Sequence, residues 1–234
     1  MSVLLLHAIG LDAASWDETS IPNAVPMDLP GFGSQALEPG GLDLASMADD
    51  VVARAPSGML DVVGCSMGAM VGLQIALRYR QRVRSLVVAC APAAADPAVM
   101  QERAAAVRAG GMASQIPVTL ERWFTEAALA DGHPAVARAR ARLEADDSEA
   151  FAQGWLAIGG HDVRSQLPSL DIPVTLIAGS QDKAAAPAAL EAFQEGLPNS
   201  RLVVLDGPHI LYMECPEEFS AAVRDHLRWV EGGA

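Results

Sequence analysis

Short apolar runs alternate along the chain with longer segments in which hydrophobic residues recur every three or four positions. The runs are rich in Val, Leu and Ile, which is typical of strands buried on both faces of a sheet. Six strands are predicted, at residues 3–7, 24–27, 60–63, 86–90, 174–178 and 202–205. Strands that alternate with helices in this way predict a mainly parallel sheet covered by helices.

Helices are predicted from hydrophobic spacing and from residues that favour helix ends. Asp43 precedes apolar residues at Leu44, Met47, Val51 and Val52, the spacing of one helix face. Further helices are predicted at residues 67–79, at residues 187–196 and from about residue 216 onward. Each of them follows a predicted strand, so the alternation holds on both sides of a long central segment.

That central segment, residues 96–160, contains no good strand candidate and is rich in Ala and Arg. Prolines follow Asp96 and His133, a position that suits the first turn of a helix, and Asp147 or Ser148 can cap the last helix. The segment is too long for a plain connection. We therefore predict a helical cap at residues 96–160, inserted into a core formed by residues 1–95 and 161–234.

Composition limits the class of protein. The chain has 234 residues, 51% of them hydrophobic, which suits one domain with a substantial core. A formal net charge of −13 argues against a nucleic-acid partner, because phosphate binding needs clustered Lys and Arg. No apolar stretch reaches the roughly 18 residues of a membrane helix, and no signal peptide pattern precedes the first strand. We expect a soluble cytoplasmic protein without a membrane partner.

The cysteines indicate neither a disulfide framework nor a metal site. Cys65, Cys90 and Cys215 are odd in number and show no Cys-x-x-Cys spacing. Buried free thiols are the expected state. No metal and no cofactor are predicted from the sequence.

A candidate nucleophile lies between the predicted strand at residues 60–63 and the helix that follows. The stretch Gly64-Cys65-Ser66-Met67-Gly68 has the Gly-x-Ser-x-Gly pattern. A Ser on a sharp strand-to-helix turn exposes its hydroxyl, and its neighbours two residues away must be small to let strand and helix approach. Cys65 is an alternative nucleophile, but Val63 and Met67 flank it at those positions. The turn is therefore expected to present Ser66.

A serine hydroxyl needs a base to take its proton and a carboxylate to orient that base. Asp182 follows the predicted strand at residues 174–178, and His209 follows the last predicted strand. The carboxyl ends of parallel strands share one edge of the sheet, so both side chains should meet Ser66 there. Asp206 is an alternative acid, although it precedes His209 by only three residues.

The remaining histidines have other expected roles. His133 and His226 lie in predicted helical regions and are expected to be structural or solvated. His161 lies where the cap rejoins the core, close enough to contact a substrate. His7 is expected to brace the loop that follows the first strand.

Two backbone N–H groups are expected to stabilise an oxyanion. One belongs to Met67, the residue after the nucleophile, and the other, by analogy with His-Gly-type loops, to Ile9. The substrate pocket is predicted to lie under the cap and to be lined by Trp123, Phe124, Trp155 and His161. Six cap arginines either meet a substrate carboxylate or face solvent: Arg103, Arg108, Arg122, Arg138, Arg140 and Arg142.

Together these motifs resemble the α/β-hydrolase superfamily, and within it most closely the β-ketoadipate enol-lactonases and small carboxylesterase-like capped hydrolases. The matching stretches are His7-Ala8-Ile9-Gly10, Asp28-Leu29-Pro30-Gly31-Phe32-Gly33, the pentapeptide around Ser66, Arg122-Trp123-Phe124-Thr125, Ala178-Gly179-Ser180-Gln181-Asp182, and His209 with Glu214-Cys215-Pro216. The resemblance implies an α/β-hydrolase fold. Two departures are Ala8 in place of a usual glycine and the absence of an amino-terminal hairpin, which predicts six parallel strands with residues 24–27 at an edge.

The sequence therefore predicts a serine hydrolase that cleaves a carboxylic ester or lactone of a small substrate through an acyl-enzyme. Hydrolysis of a carbon–carbon bond in a dicarbonyl is an alternative, because it uses the same triad. A ligand-sensing protein that keeps the fold without turnover is a third hypothesis. Asp-nucleophile hydrolases are disfavoured because Ser occupies position 66. The expected partner is a small molecule, and the sequence does not indicate the oligomeric state.

Overall fold

The apolar runs form one six-stranded sheet in the computed structural model, which describes residues 1–37 and 39–233. The strands are β1 (Ser2–Leu6), β2 (Ala24–Met27), β3 (Leu60–Cys65), β4 (Val83–Ala89), β5 (Val174–Gly179) and β6 (Ser200–Leu205). Their order is β2-β1-β3-β4-β5-β6, and all five pairings are parallel. The prediction of six parallel strands with residues 24–27 at an edge is confirmed.

Nine α-helices accompany the sheet in the part of the chain that is described. They are α1 (Leu44–Arg54), α2 (Met67–Arg78), α3 (Pro97–Trp123), α4 (Glu126–Ala130), α5 (Pro134–Glu144), α6 (Ser148–Gly159), α7 (Pro187–Glu195), α8 (Leu211–Glu214) and α9 (Pro216–Glu231). The caps predicted at Asp43 and Asp147 are confirmed, because each side chain accepts at least one first-turn N–H group. The prolines after Asp96 and His133 occupy the first helical turn as predicted, and the Asp96 and His133 side chains themselves act as caps.

Strand β4 begins three residues earlier than the apolar run predicts. Its first residues include Arg84 and Ser85, which interrupt the hydrophobic pattern. Both bond to the buried Asp61 of β3: Arg84 Nη2 lies 2.6 Å from Oδ2, and Ser85 Oγ lies 2.6 Å from Oδ1. A buried carboxylate needs such partners, so polar residues belong to this strand pair. Apolar periodicity alone cannot reveal that requirement.

The core lies between the sheet and its flanking helices. Strands β1, β3, β4 and β5 are almost entirely buried, whereas β6 is partly exposed along its length. Helix α2 packs on β1, β3 and β4, and α9 packs on β4 and β6. Because every strand runs in the same direction, the residues that follow the strands gather at one edge of the sheet.

Helices α3 to α6 intervene between β4 and β5, and we call them the helical insertion. The chain enters and leaves the insertion at one point, where Ala94 and Asp162 form an antiparallel bridge. Ala95 N donates to His161 O at 2.9 Å, and Val163 N donates to Ala93 O at 3.0 Å. Among residues 1–37 and 39–233, no helix combines the length and apolar character needed to cross a bilayer.

Candidate active site

The turn between β3 and α2 presents Ser66 at the edge of the sheet. Its backbone adopts φ 54° and ψ −120°, a conformation that L-residues rarely occupy. Ser66 N donates to Ala89 O at 2.9 Å, which ties the turn to β4. A non-glycine residue held in such a conformation is strained, and the surrounding structure must enforce it.

The two glycines of the pentapeptide allow this turn to form. A Cβ at Gly68 would lie 2.1 Å from Leu6 O, and one at Gly64 would lie 2.4 Å from Gly68 O. Both neighbours are backbone atoms that cannot move aside. The spacing expected from the sequence thus has its steric cause in the contact of α2 with β1 and with the end of β3.

Ser66, His209 and Asp182 form a continuous hydrogen-bonded chain. His209 Nε2 lies 3.0 Å from Ser66 Oγ, and His209 Nδ1 lies 2.8 Å from Asp182 Oδ2. All three residues are buried. Hydrogen-bond distances of this length suit proton transfer from a hydroxyl to an imidazole whose other nitrogen is held by a carboxylate.

The Asp182 carboxylate is also held by backbone groups. Its Oδ1 accepts the N–H groups of Ala184 at 2.7 Å and Ala185 at 2.9 Å. Burial disfavours the charged form, but His209 and these N–H groups outweigh it, so the pKa of Asp182 lies below its ordinary value. Asp182 is therefore ionised at neutral pH and can orient the imidazole.

The two alternatives from the sequence occupy other positions. Asp206 is exposed, and its Oδ1 accepts from Ser180 Oγ at 2.8 Å and from Gln181 Nε2 at 3.0 Å, so it supports the loop before Asp182. The Cys65 thiol is fully buried and points to the backbone carbonyl of His209, 3.6 Å away. Neither side chain is hydrogen bonded to the imidazole.

Cys90, at the end of β4, adds a thiol beside the acid and the base. One ligand atom from each of Cys90, Asp182 and His209 lies within 4.8 Å of the other two. A metal at this position would need the thiolate. A hydrogen bond with Cys65 and burial both raise the pKa of Cys90 well above its ordinary value, which disfavours that form. The hydrogen bond with Cys65 and burial thus favour a neutral Cys90 thiol beside Asp182 and His209.

The residues that carry the two expected oxyanion donors, Met67 and Ile9, are both buried. Met67 is the first residue of α2, where N–H groups lack a partner from the preceding turn. Ile9 lies in a turn closed by Leu11 N and Ala8 O at 3.2 Å, with Gly10 at φ 71°. Within the described chain, the Ile9 N–H donates to no other group. It is available for a ligand.

His7 is enclosed in the same loop as a neutral imidazole. Nδ1 lies 2.8 Å from Ala8 O, to which it donates, and Nε2 accepts the Leu29 N–H at 3.0 Å. Burial lowers the pKa of His7 from 6.5 to about 4. The ring thus links the loop after β1 to the Asp28–Gly33 stretch, as the sequence indicated for a bracing residue.

A cavity of about 270 Å³ opens above the hydroxyl of Ser66 and the ring of His209. The helical insertion supplies its opposite wall with Trp123 and Trp155. Phe124 and His161, also expected there, are not among the lining residues. Phe124 is buried in the core, and His161 Nε2 lies 3.1 Å from Pro92 O, directed to the backbone where the insertion begins.

Two of the six arginines, Arg103 and Arg122, line this cavity. Their Cζ atoms lie 4.7 and 5.7 Å from the centroid of the Trp155 ring. Arg122 Nη1 is buried without a hydrogen-bond partner, and neither guanidinium forms an ion pair with a described carboxylate. Burial, followed by the charge of Arg103, lowers the pKa of Arg122 to about 10. Asp96 also lines the cavity, but its carboxylate caps the first turn of α3, and the two guanidinium groups leave the wall with a net positive charge.

The other arginines are engaged elsewhere or lie outside the cavity. Arg108 pairs with Glu149, Arg138 with Glu18, and Arg142 with Asp12 and Asp146, while Arg140 contributes to a separate surface depression. Sequence reasoning could not separate these roles, because all six arginines lie on helices of similar composition. The stretch Arg122-Trp123 was the one signal, since both residues prove to line the cavity.

The fold and this arrangement define the class of protein. Residues 2–216 match the model of the alpha/beta hydrolase fold family, and the chain belongs to that family. It is similar to 3-oxoadipate enol-lactonase 2 of Acinetobacter baylyi, with 30% identity over 84% of this chain and 75% of that protein. It is also similar to the pimeloyl-[acyl-carrier protein] methyl ester esterase of Neisseria meningitidis, with 29% identity over 99% of this chain and 93% of that protein.

Solved structures agree with this assignment. The enol-lactonase from Burkholderia xenovorans LB400 superimposes with a TM-score of 0.91 at 26% identity, covering 97% of this chain and 90% of that one. The protein is thus a hydrolase of the alpha/beta hydrolase family, and enol-lactonases and methyl ester esterases are among its relatives.

Proposed function

We propose that this protein is a serine hydrolase that cleaves a carboxylic ester or lactone of a small substrate through an acyl-enzyme. The observation that carries the proposal is the hydrogen-bonded chain from Ser66 through His209 to Asp182, which opens into the cavity. Relatives named as an enol-lactonase and as a methyl ester esterase support the same reaction class. The cytoplasmic location expected from the sequence stays a prediction.

In the first half-reaction, Ser66 Oγ attacks the carbonyl carbon while His209 Nε2 takes its proton. The ionised Asp182 holds the imidazole through Nδ1 and stabilises the imidazolium. The oxyanion that forms accepts hydrogen bonds from the N–H groups of Met67 and Ile9. Each such donor is typically worth about 10²–10³ in rate.

Collapse of this intermediate breaks the bond to the leaving oxygen, which receives the proton from His209. In an ester the alcohol departs, whereas in a lactone the hydroxyl stays attached to the acyl chain. Water then attacks the acyl-enzyme with His209 again as base. The second collapse returns the proton to Ser66 and releases the carboxylic acid.

The positive cavity wall supports a substrate that carries a carboxylate besides the reacting group. Arg103 and Arg122 lack acidic partners, and a hydrogen bond to a charged group is worth roughly 1.5–3 kcal/mol. The relative named for 3-oxoadipate acts on a substrate of that chemistry. We propose the lactone or ester of a small dicarboxylic acid as the substrate class.

A fluorophosphonate probe tests the nucleophile directly. The wild type should be labelled, and Ser66→Ala should not. Ser66→Ala and His209→Ala should each lower ester turnover by about 10⁴–10⁶. A mutant that keeps more than a tenth of wild-type turnover would contradict the role of its residue, and an unlabelled wild type would favour a ligand-sensing protein.

A substrate panel tests the reaction class. It compares p-nitrophenyl esters of graded length, enol-lactones and aryl diketones, with Ser66→Ala as the blank. We expect turnover of esters or lactones at rates well above those of the diketones. Preferential cleavage of a diketone would instead establish the carbon–carbon hydrolase hypothesis.

A further inference from the structure

The connection between α3 and α4 is bonded directly to the turn that carries His209. Ile210 N, the amide after the imidazole, donates to Trp123 O at 3.2 Å. Two residues further along the insertion, Thr125 N donates to Glu214 Oε2 at 3.1 Å, and the Thr125 hydroxyl donates to Oε1 of the same carboxylate. These three bonds join the helical insertion to a stretch beginning at the proposed base.

Glu214 ends the short helix α8, which starts two residues after His209. Within this turn, Met213 N and Glu214 N donate to Ile210 O at 3.1 and 3.2 Å. The position of Glu214 is therefore fixed relative to Ile210 by the backbone. The hydrogen bonds between Thr125 and the Glu214 carboxylate therefore connect the helical insertion to the whole turn, which includes His209.

The Thr125 hydroxyl serves two elements at once. It donates to Glu214, and it accepts the Ala128 N–H at 3.1 Å as the cap of α4. Thr125 and Glu214 are half-buried, so the pair is partly shielded from water. A hydrogen bond to a charged acceptor is stronger than one between neutral groups, which makes this contact a substantial tie.

The backbone of His209 is held from the opposite side as well. Its carbonyl faces the Cys65 thiol at 3.6 Å, on the strand that leads to the nucleophile. The next amide faces Trp123, whose side chain lines the cavity. The base thus lies between the nucleophile strand and the helical insertion. The hydrogen bonds of Glu214 reinforce its contact with the insertion.

We propose that Glu214 is a positioning residue that locks the Trp123–Thr125 connection onto the turn carrying His209. The wall of the cavity and the general base then take up their positions together. This inference rests on the proposed function, in which His209 is the base. Displacement of a catalytic group by about 1 Å can lower a rate by about 10²-fold, so loosening this contact should act mainly on kcat.

Four variants test the contact. Glu214→Gln leaves a single acceptor oxygen, and Thr125→Val removes the hydroxyl with little change of shape. We expect each to lower kcat for a small neutral ester about tenfold, with KM changed less than threefold. The double variant should be no worse than the more impaired single one, because both break the same contact. Thr125→Ser keeps both hydrogen bonds and should restore wild-type kcat.

Glu217→Gln is the matched control, since Glu217 is an exposed neighbour at the start of α9. It should leave kcat, KM and melting temperature unchanged. Wild-type kcat in folded Glu214→Gln and Thr125→Val would overturn the inference. So would a Thr125→Ser variant as impaired as Thr125→Val, or losses in the double variant that simply add.

A spectroscopic readout separates this inference from the proposed function. The proton between His209 Nδ1 and Asp182 should give a far-downfield proton resonance, which is absent from His209→Ala. The resonance should shift or broaden in Glu214→Gln and Thr125→Val and stay in place in Thr125→Ser and Glu217→Gln. It needs no substrate, so a wild type without hydrolase activity would end the proposed function while this signal still decided the role of Glu214. An unchanged resonance in both variants would refute positioning.

Discussion

His7 shows how one buried residue ties the loop after β1 to the body of the molecule. Its Nε2 accepts the Leu29 N–H, so the folded state requires that nitrogen without a proton. Protonation would break this bond and place a charge in the core. The neutral ring is thus part of the structure that holds Ile9 in its turn.

The stability of the protein should therefore fall in acid through His7. Its pKa is about 4 in the folded state and about 6.5 when unfolded, so the unfolded chain binds the proton first. The contribution of the neutral His7 ring to the free energy of unfolding is present above about pH 6.5 and is lost as the pH falls towards 4. Between pH 7 and 4.5 the loss is about 2 kcal/mol, since one pKa unit corresponds to about 1.4 kcal/mol.

Urea unfolding at pH 7 and pH 4.5 measures this effect. His7→Asn should be less stable than the wild type at pH 7 and should lose less stability on acidification. His133→Asn keeps an acceptor at the start of α5 and should follow the wild type. Equal acid sensitivity of His7→Asn and the wild type would show that His7 contributes nothing to it.

Among the helices, α3 contains a kink that only glycine accommodates without strain. Gly111 lies inside it at φ 63° and ψ 179°, a region that other residues essentially never occupy. A Cβ at this position would meet nothing within 4 Å, so any penalty for a side chain comes from the backbone alone. Helix α3 carries Arg103 before the kink and Arg122 after it, so the kink sets how both reach the cavity.

Gly111→Ala should lower the free energy of unfolding by about 1–3 kcal/mol. Gly160→Ala is the control, since Gly160 has an ordinary φ of −80° and a Cβ there would only touch Ala157 O at 3.4 Å. Denaturant unfolding of both variants provides the comparison. A Gly111→Ala variant as stable as Gly160→Ala would mean that α3 can straighten without loss.

Helix α5 meets the body through a partly buried ionic group. Arg142 Nε lies 3.2 Å from Asp12 Oδ2, and Arg142 Nη2 also pairs with Asp146, whose side chain is 1% exposed. Burial, together with the charges of Asp12 and Asp147, raises the pKa of Asp146 to about 7 against the opposing effect of Arg142. Asp146 therefore resists ionisation where the insertion contacts the loop after β1.

The pKa of Asp146 is higher in the folded state than in the unfolded state. Its contribution to the free energy of unfolding is therefore fully present below the unfolded pKa of about 3.9, and it is lost as the pH rises through about 7. Asp146→Asn should therefore gain stability relative to the wild type by roughly 2 kcal/mol between pH 5 and pH 8. Denaturation curves at these pH values measure the gain. Asp96→Asn keeps a good helix cap at the start of α3 and removes no charge that acts on Asp146, so it should show no such gain. A flat difference for Asp146→Asn would contradict the raised pKa.

At the scale of the whole molecule, the net charge of the chain and the local charge of the cavity wall have opposite signs. The chain carries a net charge of −13, which repels an anionic substrate. The cavity wall is locally positive through Arg103 and Arg122. An anion must therefore gain its affinity inside the cavity, at short range, from these two guanidinium groups.

Arg103→Met and Arg122→Met test this balance. Each should lower kcat/KM for the p-nitrophenyl monoester of glutaric acid about 10- to 100-fold more than for p-nitrophenyl pentanoate, its neutral analogue. Arg108→Met, on the same helix but paired with Glu149 at the surface, should affect both esters equally. Equal losses on the two esters in the Arg103 and Arg122 variants would exclude recognition of a carboxylate.

Much of this architecture could be predicted from the sequence, because it depends on local rules. Apolar runs mark the buried strands, Asp43 and Asp96 mark helix starts, and the glycines around Ser66 mark the turn that presents it. The meeting of Ser66, Asp182 and His209 also follows from parallel strands whose carboxyl ends share one edge. The assignment of the catalytic roles, however, stays a proposal until it is tested.

What the sequence could not reveal depends on contacts between distant residues. The partners of Asp61 extend β4 beyond its apolar run, and nothing local announces them. Arg103 and Arg122 differ from four other arginines only in where α3 places them. Phe124 and His161 are residue types often found in pockets, but Phe124 is buried in the core and His161 is directed towards Pro92. The division at residues 96 and 160 likewise stays a prediction.

The bridge between Ala94 and Asp162 has a further consequence for how such enzymes diversify. The sixty-odd residues between these positions start and finish side by side, on adjacent stretches that are already paired. A replacement segment of different length or sequence needs only to span that narrow gap, while Ser66, Asp182 and His209 remain on the sheet. The scaffold can thus exchange this one segment of its chain without altering the edge of the sheet that carries Ser66, Asp182 and His209.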